Sequence, residues 1–203
     1  MGSQLRDLLD ADRPDMAASA AFLDGLGHDD RLAEVRSLGR RHLAKLFEAA
    51  AGHLPLTTEH FVPATCKALV EVVHHGQNSL PLFGEFAKVM CRPDSDETNG
   101  TELWGYNRGY GIVMTTVGPG YFVLRPAESQ GEMLVDYLRT PPRKPDPWPP
   151  IIDNGSRLSF FVYNKSQDLV RGVSRHVCIG RQLRNDRPQP FWFALCREDP
   201  AGP

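Results

Sequence analysis

The second half of the chain alternates between short apolar segments and glycine-bearing turns, and this pattern restricts the possible folds more than any other feature. From residue 102 onwards the apolar side chains recur with a period of two, which is typical of β-strands. The segments that show this period are ELWGYN, YGIVMTTV, YFVLRP and EMLVDYLR. Their connections are too short for crossover helices, so the strands are expected to pair antiparallel as a meander.

Two further segments near the C-terminus, VCIGRQL and FWFALC, are predicted to form a hairpin centred near residue 187. Counting equally from that centre places Cys178 opposite Cys196. Residues 66–75 fit either a helix or a strand, and Val70, Val72 and Val73 slightly favour the strand. The segment PLFGEFAKVM is ambiguous too, because its apolar residues also share a helical stripe. The region of residues 66–90 is expected to add one or two strands to the sheet. A set of short antiparallel strands of this size suits a closed or strongly curved sheet.

The N-terminal third is predicted to be helical. The alanine-rich segment DMAASAAFLDGL ends at Gly25 and Gly27, which are typical helix-terminating residues. In DDRLAEVRSLGRRHLAKLFEAAAG the leucines and Phe47 recur at near-helical spacing. A later helix is predicted over residues 158–175 from the apolar spacing in SQDLVRGVSRHV.

These patterns predict an α+β fold in which N-terminal helices pack on a strongly curved antiparallel sheet or small β-barrel. Residues 1–60 form the helical segment, and residues 61–203 form the sheet or barrel with one late helix, the two together making one compact domain. The meander with its covering helices resembles lipocalin-type and other small barrels that hold ligands. That resemblance, which rests on the strand pattern, implies small-molecule binding.

Composition and charge argue against several classes of function. With 203 residues, 41% of them hydrophobic, the chain can form a core without disulfides or a structural metal. The net charge of -2 argues against a dedicated nucleic-acid-binding protein. No stretch approaches the roughly 18 apolar residues of a membrane span, and the acidic N-terminus lacks the features of a secretory signal. The 4 cysteines lack CxxC spacing and are expected to be reduced thiols in a cytoplasmic protein.

His74 and His75 are the first candidates for chemistry. On a strand, neighbouring side chains point to opposite faces, so the two histidines cannot easily bind one metal ion, and we expect no metal and no cofactor. One of them can act as a general base together with Asp136, a charged residue between Leu134 and Leu138. The structural alternative is one exposed histidine and one that is hydrogen-bonded near a sheet edge.

The candidates for ligand binding are a charge and a set of aromatic side chains. Arg181 lies between Ile179 and Leu183, so on an inward face it would meet a ligand carboxylate or pair with Asp136; on an outward face it would be solvated. Asn78 follows Gly76 at the mouth of the predicted sheet or in a simple turn. The aromatic candidates are Trp104, Tyr106, Tyr121, Tyr137 and Phe193. Aromatic side chains with a few polar groups describe a ligand pocket, and they also describe an ordinary β core.

No hydrolase, nucleotide-binding or zinc-protease motif is present in the sequence. Three classes of function therefore remain. The first is a barrel that binds an apolar or amphipathic small molecule, with an anionic group as one option. The second is a cofactor-free cyclase, isomerase or lyase that uses the His/Asp pair in the same cavity. The third is a protein-interaction module that docks a partner on the proline-rich segment around Trp148; the sequence does not determine the oligomeric state.

Overall fold

The computed structural model describes residues 3–80, 84–95, 100–109, 119–151 and 166–199, and these residues form short helices followed by a β-barrel. The helices are α1 (Gln4–Asp10), α2 (Met16–Gly25), α3 (His28–Arg36), α4 (Arg40–Ala49) and α5 (Thr58–Phe61). The strands are β1 (Val72–Asn78), β2 (Glu85–Cys91), β3 (Leu103–Arg108), β4 (Tyr121–Pro126), β5 (Met133–Asp136), β6 (Ser166–Gly172), β7 (Val177–Arg184) and β8 (Arg187–Arg197). Among the helices of the described residues, none combines the length and the apolar character needed to cross a membrane.

The strands follow chain order around the barrel, each antiparallel to the next, and β1 closes the sheet by pairing with β8. The predicted α+β fold with helices preceding a small barrel is confirmed. We call the end that carries the β1–β2, β3–β4, β5–β6 and β7–β8 connections the upper end, and the opposite end the lower end. Because side chains alternate along each strand, every strand contributes one row to the interior and one to the outer face.

Helices α1 to α4 cover the outer face of one side of the barrel. Ser3 and Asp15 cap α1 and α2 by accepting hydrogen bonds from the backbone amides of Arg6 and Ala18. The residues that pack together here are Leu5, Leu9, Leu43, Leu46, Val177, Ile179, Ala194 and Cys196. The periodic leucines of the helices therefore meet the outward row of β7 and β8.

The C-terminal hairpin is shifted relative to its predicted register. The chain turns at Asn185 and Asp186, both with positive φ, and the pairing shifts between Arg181 and Leu183. As a result Cys178 pairs with Leu195, and Cys196 pairs with Val177. The predicted pairing of Cys178 with Cys196 is wrong by one residue, so the two thiols lie on opposite faces of the sheet.

The late helix predicted over residues 158–175 is wrong where the structure describes it. Residues 166–172 form β6, with Ser166, Asp168 and Val170 directed inward and Leu169 packed outward against the helices. A carboxylate on the inward row interrupts the apolar alternation, and the remaining apolar positions imitate a helical stripe. Residues 158–165 and the predicted strand at 110–117 lie outside the described residues.

The proline-rich segment, residues 138–151, crosses the outer face of the barrel on the side opposite the helices, and we call it the strap. Trp148 of the strap packs against the rings of Tyr106 and Tyr121. The Tyr121 hydroxyl donates a hydrogen bond to the Pro149 carbonyl at 2.5 Å, and the Trp148 indole donates to the Glu71 carboxylate at 3.1 Å. The strap is therefore held by its own contacts although its prolines cannot donate to a strand ladder.

The lower end of the barrel is closed by the segment of residues 54–62. Leu56, Phe61 and Val62 are buried against the inward side chains of the barrel, and Leu54 forms an isolated antiparallel bridge with Gly172. The inward row in the lower half is mostly apolar, comprising Met90, Leu103, Leu124, Met133, Val170 and Leu195. Its polar members include His74 and Arg197, which pair across β1 and β8. The lower half is thus a filled and largely hydrophobic core.

Candidate functional site

The two neighbouring histidines lie on opposite faces of β1, as expected on a strand. His74 is directed inward and is 1% exposed, opposite Lys88 on β2. His75 is on the outer face, where its Nε2 lies 2.7 Å from the Glu198 carboxylate. The inward position that the general-base hypothesis requires is therefore occupied by His74.

Asp136 and Arg181 both lie on the outer face. Arg125 Nε donates to the Asp136 carboxylate at 3.0 Å, and the Arg181 Nε donates to the Gln189 carbonyl at 3.0 Å. Because Val135 and Tyr137 belong to the interior cluster, the row of Asp136 is outward. The inward alternative for these two charges is wrong, and the structure does not bring Asp136 together with His74.

The aromatic candidates divide between the two faces. Trp104, Tyr106 and Tyr121 are buried on the outer face beneath the strap. Tyr137 and Phe193 are in the interior cluster. Asn78 pairs with Phe193 and shares its inward row at the upper end. Of these candidates, Tyr137, Phe193 and Asn78 therefore line the barrel interior, and the other three do not.

A buried polar cluster that the sequence analysis missed lies in the upper half of the interior. We call it the Lys88 cluster; it consists of Lys88, Asn107, Tyr137 and Asp168. Lys88 Nζ donates to Asn107 Oδ1 at 2.9 Å, to the Tyr137 hydroxyl at 2.5 Å and to Asp168 Oδ2 at 3.3 Å. Two further hydrogen bonds complete the network. Asn107 Nδ2 donates to the Tyr137 hydroxyl at 2.9 Å, and that hydroxyl donates to Asp168 Oδ2 at 3.3 Å. Residues from four strands or their ends thus converge on one ammonium group.

Four aromatic rings surround that ammonium group. The distances from Lys88 Nζ to the ring centroids are 5.6 Å for Phe86, 5.1 Å for Phe122, and 5.0 Å for both Tyr137 and Phe193. Ring faces at this distance attract a cation electrostatically. The four rings form an aromatic cage around Lys88.

Glycines on neighbouring strands allow the cage to form. Gly76 is paired with Phe86, Gly105 with Phe122, and Gly180 with Phe193. A Cβ atom at any of these glycines would come within 3.0 Å of the paired ring. Each ring can therefore lie across the backbone of the adjacent strand, which directs it towards the centre of the barrel.

Burial disfavours both charges of the central ion pair. Desolvation lowers the pKa of Lys88, opposed by the nearby Asp168 carboxylate. Desolvation likewise raises the pKa of Asp168, opposed by Lys88 and by the Tyr137 hydroxyl. Both shifts move the pair towards its neutral form, an amine beside a carboxylic acid.

The Lys88 cluster is itself buried, but the described inward side chains nearer the upper end are less so. The inward side chains of Asn78, Phe86 and Gln182 in that half are only partly buried. In the lower half, by contrast, Met90 and Leu195 are completely buried. Among the described residues, burial of the inward side chains thus decreases from the lower half towards the upper end.

A second cluster of titratable groups lies at the lower end. A cleft of about 540 Å³ is lined there by residues that include His60, Ser174, Arg175 and Arg197. Burial and the positive charge of Arg197 lower the pKa of His60 to about 3. Burial, His60 and Arg197 together lower the pKa of His74 to about 3. This end thus holds two histidines with lowered pKa beside an arginine.

The sequence contains a signal for part of the Lys88 cluster, but the segment that carries it fits a helix as well as a strand. Phe86, Lys88 and Met90 alternate as one inward row of a strand, but the same segment also fits a helical stripe. Asp168 was assigned to the predicted late helix. For the residues that the structure describes, no group of three His, Cys, Asp or Glu side chains is placed to hold a metal ion.

The fold and the site define an eight-stranded antiparallel barrel with a lysine-centred polar cluster inside it. Comparison with known proteins does not narrow this class further. No protein-family model matches the chain, and neither a curated protein nor a solved structure matches it.

Proposed function

We propose that the barrel binds a small amphipathic molecule in its upper half. The apolar part of the ligand lies against Phe86 and Phe193, and a polar oxygen is bound by Lys88. The observation that carries this proposal is the placement of the Lys88 cluster, a polar network in the upper half of the interior, next to inward side chains that are only partly buried. The filled, largely apolar lower half gives the ligand site a closed floor.

The energetic cost of the cluster supports a role in binding. Replacing a buried ion pair by apolar side chains of similar volume is often neutral or stabilising by about 1–4 kcal/mol. The Lys88–Asp168 pair is therefore poorly explained by stability alone. A buried cationic group within a largely aromatic lining is instead a common way to orient a polar end of a ligand.

The position of the cation determines the expected ligand chemistry. The cationic side chain in the upper half of the interior is Lys88, whereas Arg181 lies on the outer face near Glu48. A carboxylate or carbonyl oxygen can accept a hydrogen bond from Lys88 Nζ in place of one of its present partners. The ligand is thus expected to carry such an oxygen at the end of an apolar group.

The experiment compares two double variants that each remove one ion pair from the same barrel. Lys88→Met with Asp168→Asn removes the interior pair without leaving a lone buried charge. Arg125→Met with Asp136→Asn removes a pair on the outer face, where Asp136 is equally buried. Binding is measured by titration with the fluorescent anionic probe 1-anilinonaphthalene-8-sulfonate and by native mass spectrometry of the protein as purified.

We expect the interior double variant to weaken probe binding by about tenfold or more, as for loss of a charged hydrogen bond, and to lose any co-purified molecule. The outer double variant should keep both. Circular dichroism verifies that each variant is folded before binding is compared. Equal binding by the wild type and both variants, or no binding by any of them, would contradict the proposal.

The other two functions receive less support from the described contacts. An acid–base pair of His74 and Asp136 would need two residues that the barrel wall separates. Trp148, the anchor of the interaction hypothesis, is 3% exposed and packs on the chain's own tyrosines. Ligand binding in the upper half is therefore the function that the geometry supports best.

A further inference from the structure

We propose that the ligand of the barrel is a carbonyl compound and that Lys88 binds it covalently, as an imine on Nζ. This inference rests on the proposed binding function and specifies its chemistry. It follows from the combination of an enclosed lysine, a carboxyl group and a phenol in mutual contact, which is the set of groups that imine formation needs.

The contacts of Lys88 suit a neutral amine as well as an ammonium ion. An ammonium group has three N–H donors, and the three partners of Nζ can accept all of them. A neutral amine has two N–H donors and one lone pair. In that form the 2.5 Å contact with Tyr137 becomes a hydrogen bond from the hydroxyl to the lone pair, and the protonated Asp168 donates to the Tyr137 oxygen in place of accepting from it. The cluster can thus hold the nucleophile without losing a partner.

The surroundings of Nζ favour the nucleophilic form. Four aromatic rings exclude water from it, and the lysine side chain is 2% exposed. Burial lowers the pKa of Lys88 and so increases the fraction of neutral amine. The same burial raises the pKa of Asp168, so a proton from the ammonium group can pass to that carboxylate.

The reaction balances with the groups present. The Nζ lone pair attacks the carbonyl carbon, and the π electrons of the C=O bond move to oxygen, which takes a proton from Asp168 or Tyr137. The nitrogen of the resulting carbinolamine gives up a proton to the same relay, and the hydroxyl leaves as water after receiving another. The net change is loss of one water molecule and formation of one C=N bond, and no oxidant or reductant is needed.

The site also suits the product. A protonated imine is a cation, and it would lie beside the Asp168 carboxylate within the aromatic cage. The apolar group of the carbonyl compound would extend from Nζ past Phe86 and Phe193 towards the upper end, where Phe86 is partly exposed. An aldehyde on an aromatic or unsaturated chain is the class of compound that fits these contacts.

The chain provides its own comparison sites for trapping the imine. The sequence contains 5 lysines: Lys45, Lys67, Lys88, Lys144 and Lys165. Among them Lys67 is exposed. A solvated lysine amine has a pKa near 10.4, so at pH 6 almost all of it is protonated and unreactive. Reaction at low pH therefore selects an amine whose pKa is lowered.

The experiment incubates the folded protein with cinnamaldehyde and sodium cyanoborohydride at pH 6 and locates the reduced adduct by peptide mapping. We expect modification of Lys88 to be at least tenfold faster than that of Lys67. The Tyr137→Phe variant should slow trapping at Lys88 by a factor on the order of 10 to 100, as expected for loss of a proton-transfer group, while modification of Lys67 stays unchanged. Modification spread evenly over the lysines, or absent from Lys88, would overturn the inference.

Cinnamyl alcohol separates failure of this inference from failure of the binding proposal, because it has nearly the same shape but no carbonyl group. Displacement of the fluorescent probe by the alcohol, without trapping of the aldehyde at Lys88, would refute the imine and leave non-covalent binding standing. If neither compound displaces the probe nor is trapped, the imine and the binding of this ligand class are both refuted. Because mapping is done on the wild type, the test does not depend on how well the Lys88 variants fold.

Discussion

His74 and Lys88 are cross-strand neighbours in the interior, but their side chains differ in hydrogen bonding. Every hydrogen of the Lys88 ammonium group has an acceptor. For His74, neither ring nitrogen makes a hydrogen bond of normal geometry within the described part of the chain. Its backbone contacts with Val72 and Lys88 oppose the lowered pKa but do not outweigh burial. The His74 side chain is therefore neutral in the folded protein near neutral pH, and its burial disfavours protonation.

The lowered pKa of His74 predicts how the free energy of unfolding changes at lower pH. The pKa of His74 is about 3 in the folded protein and 6.5 in an unfolded chain. Between these values the unfolded state binds a proton that the folded state does not, so stability falls as the pH falls, by about 1.4 kcal/mol per pH unit. His74→Leu should remove this share, so that between pH 7 and pH 5 the variant loses about 2 kcal/mol less than the wild type.

Urea unfolding at the two pH values measures this difference. Met90→Leu, an interior substitution without a titratable group, serves as the control and should lose as much stability as the wild type. His60, whose pKa is also lowered to about 3, keeps its own pH dependence in every variant. An equal loss in His74→Leu and the wild type would show that His74 is not the group responsible.

At the scale of strands, pairs of glycine and phenylalanine bring the aromatic cage together. The three atoms nearest to a Cβ added at Gly76 or Gly180 all belong to the ring of the paired phenylalanine. A Cβ added at Gly105 would also come within 2.9 Å of the Val89 carbonyl oxygen. A displaced ring can relieve the first kind of contact but not the second. The cost of adding a methyl group should therefore differ between these glycines.

Alanine substitutions test this explanation of the barrel wall. Gly105→Ala should lower the free energy of unfolding by about 1–3 kcal/mol, because the backbone contact cannot be relieved. Gly76→Ala should be destabilising too, but combining it with Phe86→Leu should restore most of the loss. Gly25→Ala is the control; it lies at the exposed end of α2 with nothing within 4 Å, and it should stabilise by about 0.5–1 kcal/mol.

Chemical unfolding of the four variants decides the outcome. If Gly105→Ala is as stable as the wild type, or if Phe86→Leu fails to rescue Gly76→Ala, then close packing of rings on glycines does not shape the barrel.

The elements show which parts of the structure the sequence predicts and which it does not. Short apolar segments between glycine-bearing turns identified the strands around Tyr121 and Met133, and helical spacing of apolar residues identified α4. The apolar pattern failed for β6, where Asp168 replaces an apolar inward residue. It was ambiguous for β2, where Lys88 occupies an inward position and the apolar residues also fit a helical stripe. These two residues form the central ion pair of the site. The residues that break the pattern are thus the ones that carry the proposed function.

Long-range features were also beyond the sequence patterns. Closure of the barrel depends on β1 pairing with β8, which are far apart in the chain. The division of the aromatic residues between the interior and the outer face depends on the strap, since Trp104, Tyr106 and Tyr121 are buried beneath it. An alternating segment with apolar residues on both rows does not reveal which row faces inward.

At the scale of the whole molecule, the barrel is covered on most of its surfaces. Helices α1 to α4 cover β7 and β8, the strap covers the outer face around β3 and β4, and residues 54–62 close the lower end. The interior changes from mostly apolar side chains below, with His74 and Arg197 among them, to the Lys88 cluster and its cage above. The central claim is that this upper half is a ligand site.

The most direct test of that claim is a crystal structure of the protein grown with 1-anilinonaphthalene-8-sulfonate or with the compound that co-purifies. The account predicts ordered ligand in the upper half, in contact with Phe86 and Phe193, with an oxygen within hydrogen-bonding distance of Lys88 Nζ. Ligand bound only in the lower cleft beside Arg197, or on the outer surface with the Lys88 cluster unchanged, would contradict it.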